Sequence, residues 1–153
     1  AMKYKKFGKL DFKKLHPAGS LGAQLKTVED IMITGNKIPF VNESLKMDEA
    51  LRILSRKKLG VLIVKNKNNQ TIGIITDGQV RRFSQKNKNL QSLTVKKVMT
   101  KKPVSIDKNE LAAKALSIMN SKKITSLCVY SKQYKSKTIG VVHIHNLLQS
   151  NIS

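Results

Sequence analysis

Three short stretches hold the side chains that could do chemistry. The first is His16-Pro-Ala-Gly-Ser-Leu-Gly22. One proline and two glycines in seven residues make a loop, and a histidine at its head could give and take a proton near neutral pH. A surface histidine in a linker has the same surroundings, and the residues alone favour that plainer reading. The second stretch is Gly73-Ile-Ile-Thr-Asp-Gly-Gln-Val-Arg-Arg82. It reads as a buried strand running into a helix, with Asp77 placed to cap the helix. Arg81 and Arg82 either meet an anion or form a solvated helix face. The third stretch, Gly140-Val-Val-His-Ile-His-Asn146, has the same form. Either one of His143 and His145 faces a ligand, or His143 simply caps the helix. No metal site is read from the sequence.

The elements that position these residues occur twice. Thr71-Ile-Gly-Ile-Ile matches Thr138-Ile-Gly-Val-Val, so Gly73 and Gly140 stand 67 residues apart. Val28-Glu-Asp-Ile-Met32 matches Val95-Lys-Lys-Val-Met99 at the same offset, and Ala50-Leu-Arg-Ile matches Ala115-Leu-Ser-Ile at 65. Three matches in one order at nearly one offset mark an internal duplication.

Each copy reads as strand, helix, strand, strand, helix behind a short helical lead-in. In the first copy, 38–41 is a strand that Pro39 confines to an edge or a strand start. A helix over 44–58 follows, with Ser44 as N-cap and Met47, Ala50, Leu51 and Leu54 on its apolar face. Residues 59–64 form a strand buried on both faces. After a polar turn, 72–76 pairs antiparallel and leads into a helix over 78–85. In the second copy, 93–99 is the lead-in helix and 103–106 the first strand. Asn109 caps a helix over 110–121 whose apolar face is Leu111, Ala115, Ile118 and Met119. Strands over 126–130 and 138–142 and a helix over 143–149 complete it. Upstream, 21–32 is a connection ending in a short helix. A unit of this size buries too little surface to be stable alone. Two units packed through their sheets solve that problem and leave related clefts between them for ligands.

Composition limits the function classes. At 153 residues and 40% hydrophobic the chain can bury a core. No apolar run approaches the roughly 20 residues that span a bilayer, and no signal peptide is visible. A single cysteine, Cys128, excludes an intramolecular disulfide. It reads as a buried, inert thiol in a cytoplasmic protein. The net charge of +21 invites a nucleic-acid reading. However, only Arg52, Arg56, Arg81 and Arg82 among the 30 basic residues are arginines. The lysines are spread over every segment rather than gathered in one stripe. Nucleic acid is therefore an unfavoured partner; an anionic small ligand gains from the same field. The Ala1-Met2 start reads as a trimmed expression tag, which makes the chain a fragment of a longer protein.

The Ile-Met lead-ins, the paired apolar strands and the Gly-apolar-apolar-Thr stretch resemble a tandem pair of cystathionine-β-synthase (CBS) domains, a Bateman module, over roughly 28–151. The implied fold is α/β (α+β), two β-α-β-β-α repeats related by pseudo-twofold symmetry. The implied boundaries are 1–27 for the end of a preceding domain and linker, 28–92 for the first repeat and 93–153 for the second. The loop at His16, Ile31-Met-Ile-Thr-Gly35, the Gly73 stretch and Gly140-Val-Val-His-Ile-His-Asn-Leu-Leu148 further resemble the C-terminal part of the arabinose 5-phosphate isomerase family. In that family a sugar-isomerase (SIS) domain precedes the CBS pair. The whole enzyme interconverts ribulose 5-phosphate and arabinose 5-phosphate for synthesis of 3-deoxy-manno-octulosonate (Kdo) and lipopolysaccharide. The resemblance places His16 on a proposed catalytic histidine in a His-Pro-Gly-Gly loop, with Ala18 where the family has glycine. The rest of the isomerisation machinery is not in these residues, so the fragment alone is expected to be inactive.

CBS pairs bind adenosine nucleotides or related anions, with a Thr hydroxyl on phosphate and an Asp carboxylate on ribose. Here Thr76 is present, Gln79 stands at the Asp position, and His143 and Asn146 replace the pair in the second repeat. An amide forgoes the charge-assisted bond, which is about twice as strong as a neutral one. The resemblance thus implies a regulatory module that requires no cofactor and takes AMP, ATP or an activated sugar acid such as CMP-Kdo as its effector. Thr76, Asp77, Gln79, Arg81, Arg82, His143, His145 and Asn146 are the implied ligand residues. It also implies a homodimer through the CBS pairs and a tetrameric parent. The other reading is a structural oligomerisation module with vestigial clefts.

Overall fold

The computed structural model describes residues 21–87 and 89–153. His16 and the loop around it lie outside the described residues. Two short helices, α1 (Leu21–Gln24) and α2 (Val28–Ile31), precede the first strand. The first repeat has β1 (Phe40–Asn42), α3 (Met47–Lys57), β2 (Val61–Lys65), β3 (Thr71–Thr76) and α4 (Asp77–Lys86). After α5 (Val95–Val98) and β4 (Thr100–Lys101) come β5 (Ser105–Asp107), α6 (Ala112–Lys122), β6 (Ser126–Tyr130), β7 (Gly140–His143) and α7 (Ile144–Gln149). The order β-α-β-β-α is present twice.

The sheets repeat as well. β1 pairs parallel with β2, and β2 antiparallel with β3. β5 pairs parallel with β6, and β6 antiparallel with β7. A parallel pair needs a crossover, and the amphipathic helix between its strands supplies it. Pro39 precedes the edge strand β1 and still accepts a bond from Ile63 N, as a residue without its own N–H can. Each repeat has an apolar core, one around Met47, Leu62 and Ile75 and the other around Met119, Leu127 and Leu147. A third cluster, Ile38, Val61, Ile63, Cys128 and Val141, joins the two sheets. Near it, Thr71 Oγ1 and Thr138 Oγ1 lie 2.6 Å apart. They are equivalent residues of the two repeats and meet on the pseudo-twofold.

The lead-in segments are exchanged. Ile33, at the start of the first repeat, bridges Val141 of the second, and Thr27 bridges Leu111. β4, at the start of the second repeat, pairs with β3 of the first, and Thr94 bridges Lys46. Each sheet is thereby extended by chain that belongs in sequence order to the other copy.

The structure corrects several expectations about helix starts. Ser44 does not cap α3: its N–H and hydroxyl both donate to Asn42 Oδ1, at 3.0 and 2.8 Å. Asn109 does not cap α6 either, because its N–H donates to Asp107 Oδ1. Both helices begin about three residues later, after the bridged residues Lys46 and Leu111. The buried face of α6 is accordingly Ala112, Ala115, Leu116 and Met119, while Leu111 is 45% exposed. Asp77 does not cap α4; it is the first residue inside the helix, and Thr76 is the cap. Cys128 is a free, buried thiol, and burial, opposed by a hydrogen bond with Thr138, pushes it up to about 11, which keeps it protonated and unreactive near neutral pH.

Candidate functional site

Both strand-to-helix junctions are built by capping. β3 ends at Thr76 in extended conformation, and Thr76 Oγ1 accepts from Gln79 N at 3.2 Å. β7 ends at His143, whose Nδ1 accepts from His145 N at 3.2 Å. His143 N in turn donates to Asn146 Oδ1 at 3.0 Å. A capping side chain satisfies a helix N–H that has no partner in the helix. The imidazole thus does in the second repeat what the threonine hydroxyl does in the first.

The two junctions open into one cleft of about 730 Å³. Thr76, Asp77, Arg82, His143 and His145 line it. Gln79, Arg81 and Asn146 are not among its lining residues. Gln79 donates through Nε2 to Val98 O, and Asn146 is held by His143. Both amides are therefore engaged within the protein. Three cations that the sequence reading did not single out also line the cleft: Lys58, Lys102 and Lys123. Lys58 and Lys123 are the left-handed C-caps of α3 and α6, with φ of 61° and 57°. Their equivalence at an offset of 65 was a usable signal, one hidden among many lysines. The cleft thus carries four permanent cations, Lys58, Arg82, Lys102 and Lys123, against one carboxylate, Asp77. Gly60 (φ +72°) sits beside that carboxylate: a Cβ there would lie 3.1 Å from Asp77 Oδ2, and Asp77 N donates to Gly60 O.

His143 and His145 stack with ring centroids 4.8 Å apart. Burial, and then the neighbouring His145 charge, hold the His143 imidazole below the 6.5 of a free ring; the Leu59 carbonyl opposes this. Folding therefore favours the neutral ring. As pH falls below 6.5, the unfolded chain binds a proton that the folded chain refuses, and stability drops. The loss levels off below the depressed folded value. His143→Thr is expected to remove this slope and keep the cap, since Thr76 caps with a hydroxyl. Urea midpoints between about pH 7.5 and about pH 5 check it. Equal slopes in both proteins would sink the assignment.

A model of the CBS domain matches residues 28–86 and again 95–152. The chain belongs to the CBS domain family. The tandem CBS chain is similar to arabinose 5-phosphate isomerase KdsD of Escherichia coli (strain K12), 35% identical over 152 residues. That alignment covers 99% of this chain and 45% of KdsD. An uncharacterized Rickettsia prowazekii protein is 37% identical over 147 residues, covering 96% of this chain and 44% of its own length. The tandem CBS chain thus spans less than half the length of these relatives. Among solved structures, CBSX2 in complex with AMP superposes with a TM-score of 0.71 at 23% identity, over 81% of this chain and 94% of CBSX2. A CBS domain pair solved with 5′-methylthioadenosine and S-adenosyl-L-methionine gives 0.69 at 18% identity, over 82% and 94%. The fold is that of a CBS pair. Among the described residues no helix is long and apolar enough to cross a membrane.

Proposed function

We propose that this chain is the regulatory CBS pair of an arabinose 5-phosphate isomerase and binds a nucleotide or nucleotide-sugar in the cleft between its repeats. The observation that carries the ligand is the cleft itself, which holds four cations and one carboxylate where the two strand ends meet. The similarity to KdsD over 99% of the chain supports the parent enzyme. The two structural neighbours solved with adenosine derivatives support the ligand class. In this reading isomerisation belongs to the part of the enzyme that this chain does not span. The effector acts through the CBS pair, favouring one of two states of the catalytic domain.

A thermal-shift series with AMP, ATP, CMP and CMP-Kdo at two salt concentrations tests it. A ligand at a hundredfold excess over Kd adds about 2.7 kcal/mol, a rise of roughly 8 °C for a domain of this size. Shifts that differ among the compounds and are reduced but not abolished by salt are the expected result. Shifts that are equal for all compounds and vanish with salt would overturn the proposal. A second reading, an oligomerisation module, draws on the exposed leucines Leu21, Leu25, Leu111 and Leu148. Absence of any ligand response, with a dimer by light scattering, would favour it.

A further inference from the structure

We infer that the cleft selects its ligand by charge, through at least two anionic groups held by the symmetry-related lysines Lys58 and Lys123, rather than through a ribose. The inference rests on the reading of the cleft as a ligand site and narrows it to a class. Lys58 and Lys123 occupy the same position in each repeat, the left-handed residue that ends one helix and turns the chain into the next strand. Both line the one cleft. The pseudo-twofold thus presents two like charges to a single bound molecule. Arg82 from the first repeat and Lys102 from the linker add to the same field. Neither lysine has an acidic partner among the ion pairs of the described residues.

The groups that would recognise a ribose are engaged elsewhere. Gln79 Nε2 donates to Val98 O, which leaves Gln79 Oε1 buried without a partner, and Asn146 Oδ1 accepts from His143 N; neither residue lines the cleft. The Thr76 oxygen accepts the Gln79 N–H. Asp77 is the one carboxylate left to meet a sugar hydroxyl, and it lies among cations that attract anions in its place. The hydroxyls of Thr100, Thr125 and Ser126 also line the cleft, but four cations against one carboxylate set its charge, and that favours a molecule bearing two or more phosphates, or a phosphate and a carboxylate.

The test is calorimetry of the 153-residue chain with tripolyphosphate, ATP, AMP and adenosine, together with K58Q, K123Q and the double variant. K135Q, a lysine outside the cleft, is the control. Tripolyphosphate and ATP are expected to bind at least about tenfold more tightly than AMP, and adenosine not at all. K58Q and K123Q should each weaken ATP by roughly threefold to fivefold, and the double variant by about tenfold or more. K135Q should change nothing. Adenosine binding as tightly as ATP, or ATP binding that is indifferent to both lysines yet lost in Thr76→Val, would overturn charge selection. The cleft would then remain a nucleotide site. Failure of every probe to bind would sink both that site and its charge selection.

Discussion

Gly73→Ala is expected to destabilise the protein by about 2–3 kcal/mol, more than the equivalent change at Gly140. A Cβ at Gly73 would lie 2.8 Å from the Thr100 carbonyl and 2.6 Å from Met99 Sδ. The methionine end can swing away, but the carbonyl belongs to β4, which pairs with β3 at Gly73↔Lys101 and Ile74↔Thr100. Relief therefore requires the strands to separate. At Gly140 the nearest atom is again a methionine sulfur, Met32 Sδ at 2.5 Å, and the nearest carbonyl, Ile33 O, stands off at 3.1 Å. That site can adjust by swinging the methionine end and shifting the Ile33 carbonyl by a few tenths of an ångström, so about 1 kcal/mol is expected. Urea unfolding of both variants measures the difference. A larger loss at Gly140 would show that the lead-in to the second sheet is the stiffer of the two.

Deleting residues 1–33 is expected to abolish cooperative folding of the second repeat, although that repeat begins about sixty residues later. Among the described residues the deletion removes five backbone hydrogen bonds to the second repeat: Ala112 N to Lys26 O, Val28 N to Glu110 O, Glu29 N to Lys108 O, and the reciprocal pair between Ile33 and Val141. At about 1 kcal/mol net each, with about 2 kcal/mol more for burying Val28, the loss approaches the 5–15 kcal/mol that holds a domain together. Thermal unfolding followed by circular dichroism checks this. A single sharp transition at the original midpoint would refute it. Deletion within 94–101 should damage the first repeat by the same logic.

Much of this fold is legible in the chain. The matches at 67 and 65 residues carry the order of strands and helices, because a duplicated unit repeats its hydrophobic periods along with its residues. β6 over Ser126–Tyr130 follows directly from its apolar run. The helix starts at Ser44 and Asn109 are misread for one shared reason. Asn42 and Asp107 capture the N–H groups two residues on, a local competition that a capping pattern does not reveal. Repetition in the sequence repeated the error.

Two copies, the elements each contains, and polar residues at both strand ends can all be read along the chain. That is so because secondary structure follows from local periodicity. Which lead-in serves which sheet is visible only in the folded chain. Val28–Met32 and Val95–Met99 have the same pattern, and either glycine, Gly73 or Gly140, accepts a methionine at its surface. Direct and exchanged pairings are thus indistinguishable along the chain, and the path through space settles which one forms. The site was divided in the same way. Thr76 and His143 could be named from the strand ends. The gathering of Lys58, Lys102 and Lys123 around one cleft, and the inward engagement of Gln79 and Asn146, arise from contacts between segments far apart in sequence.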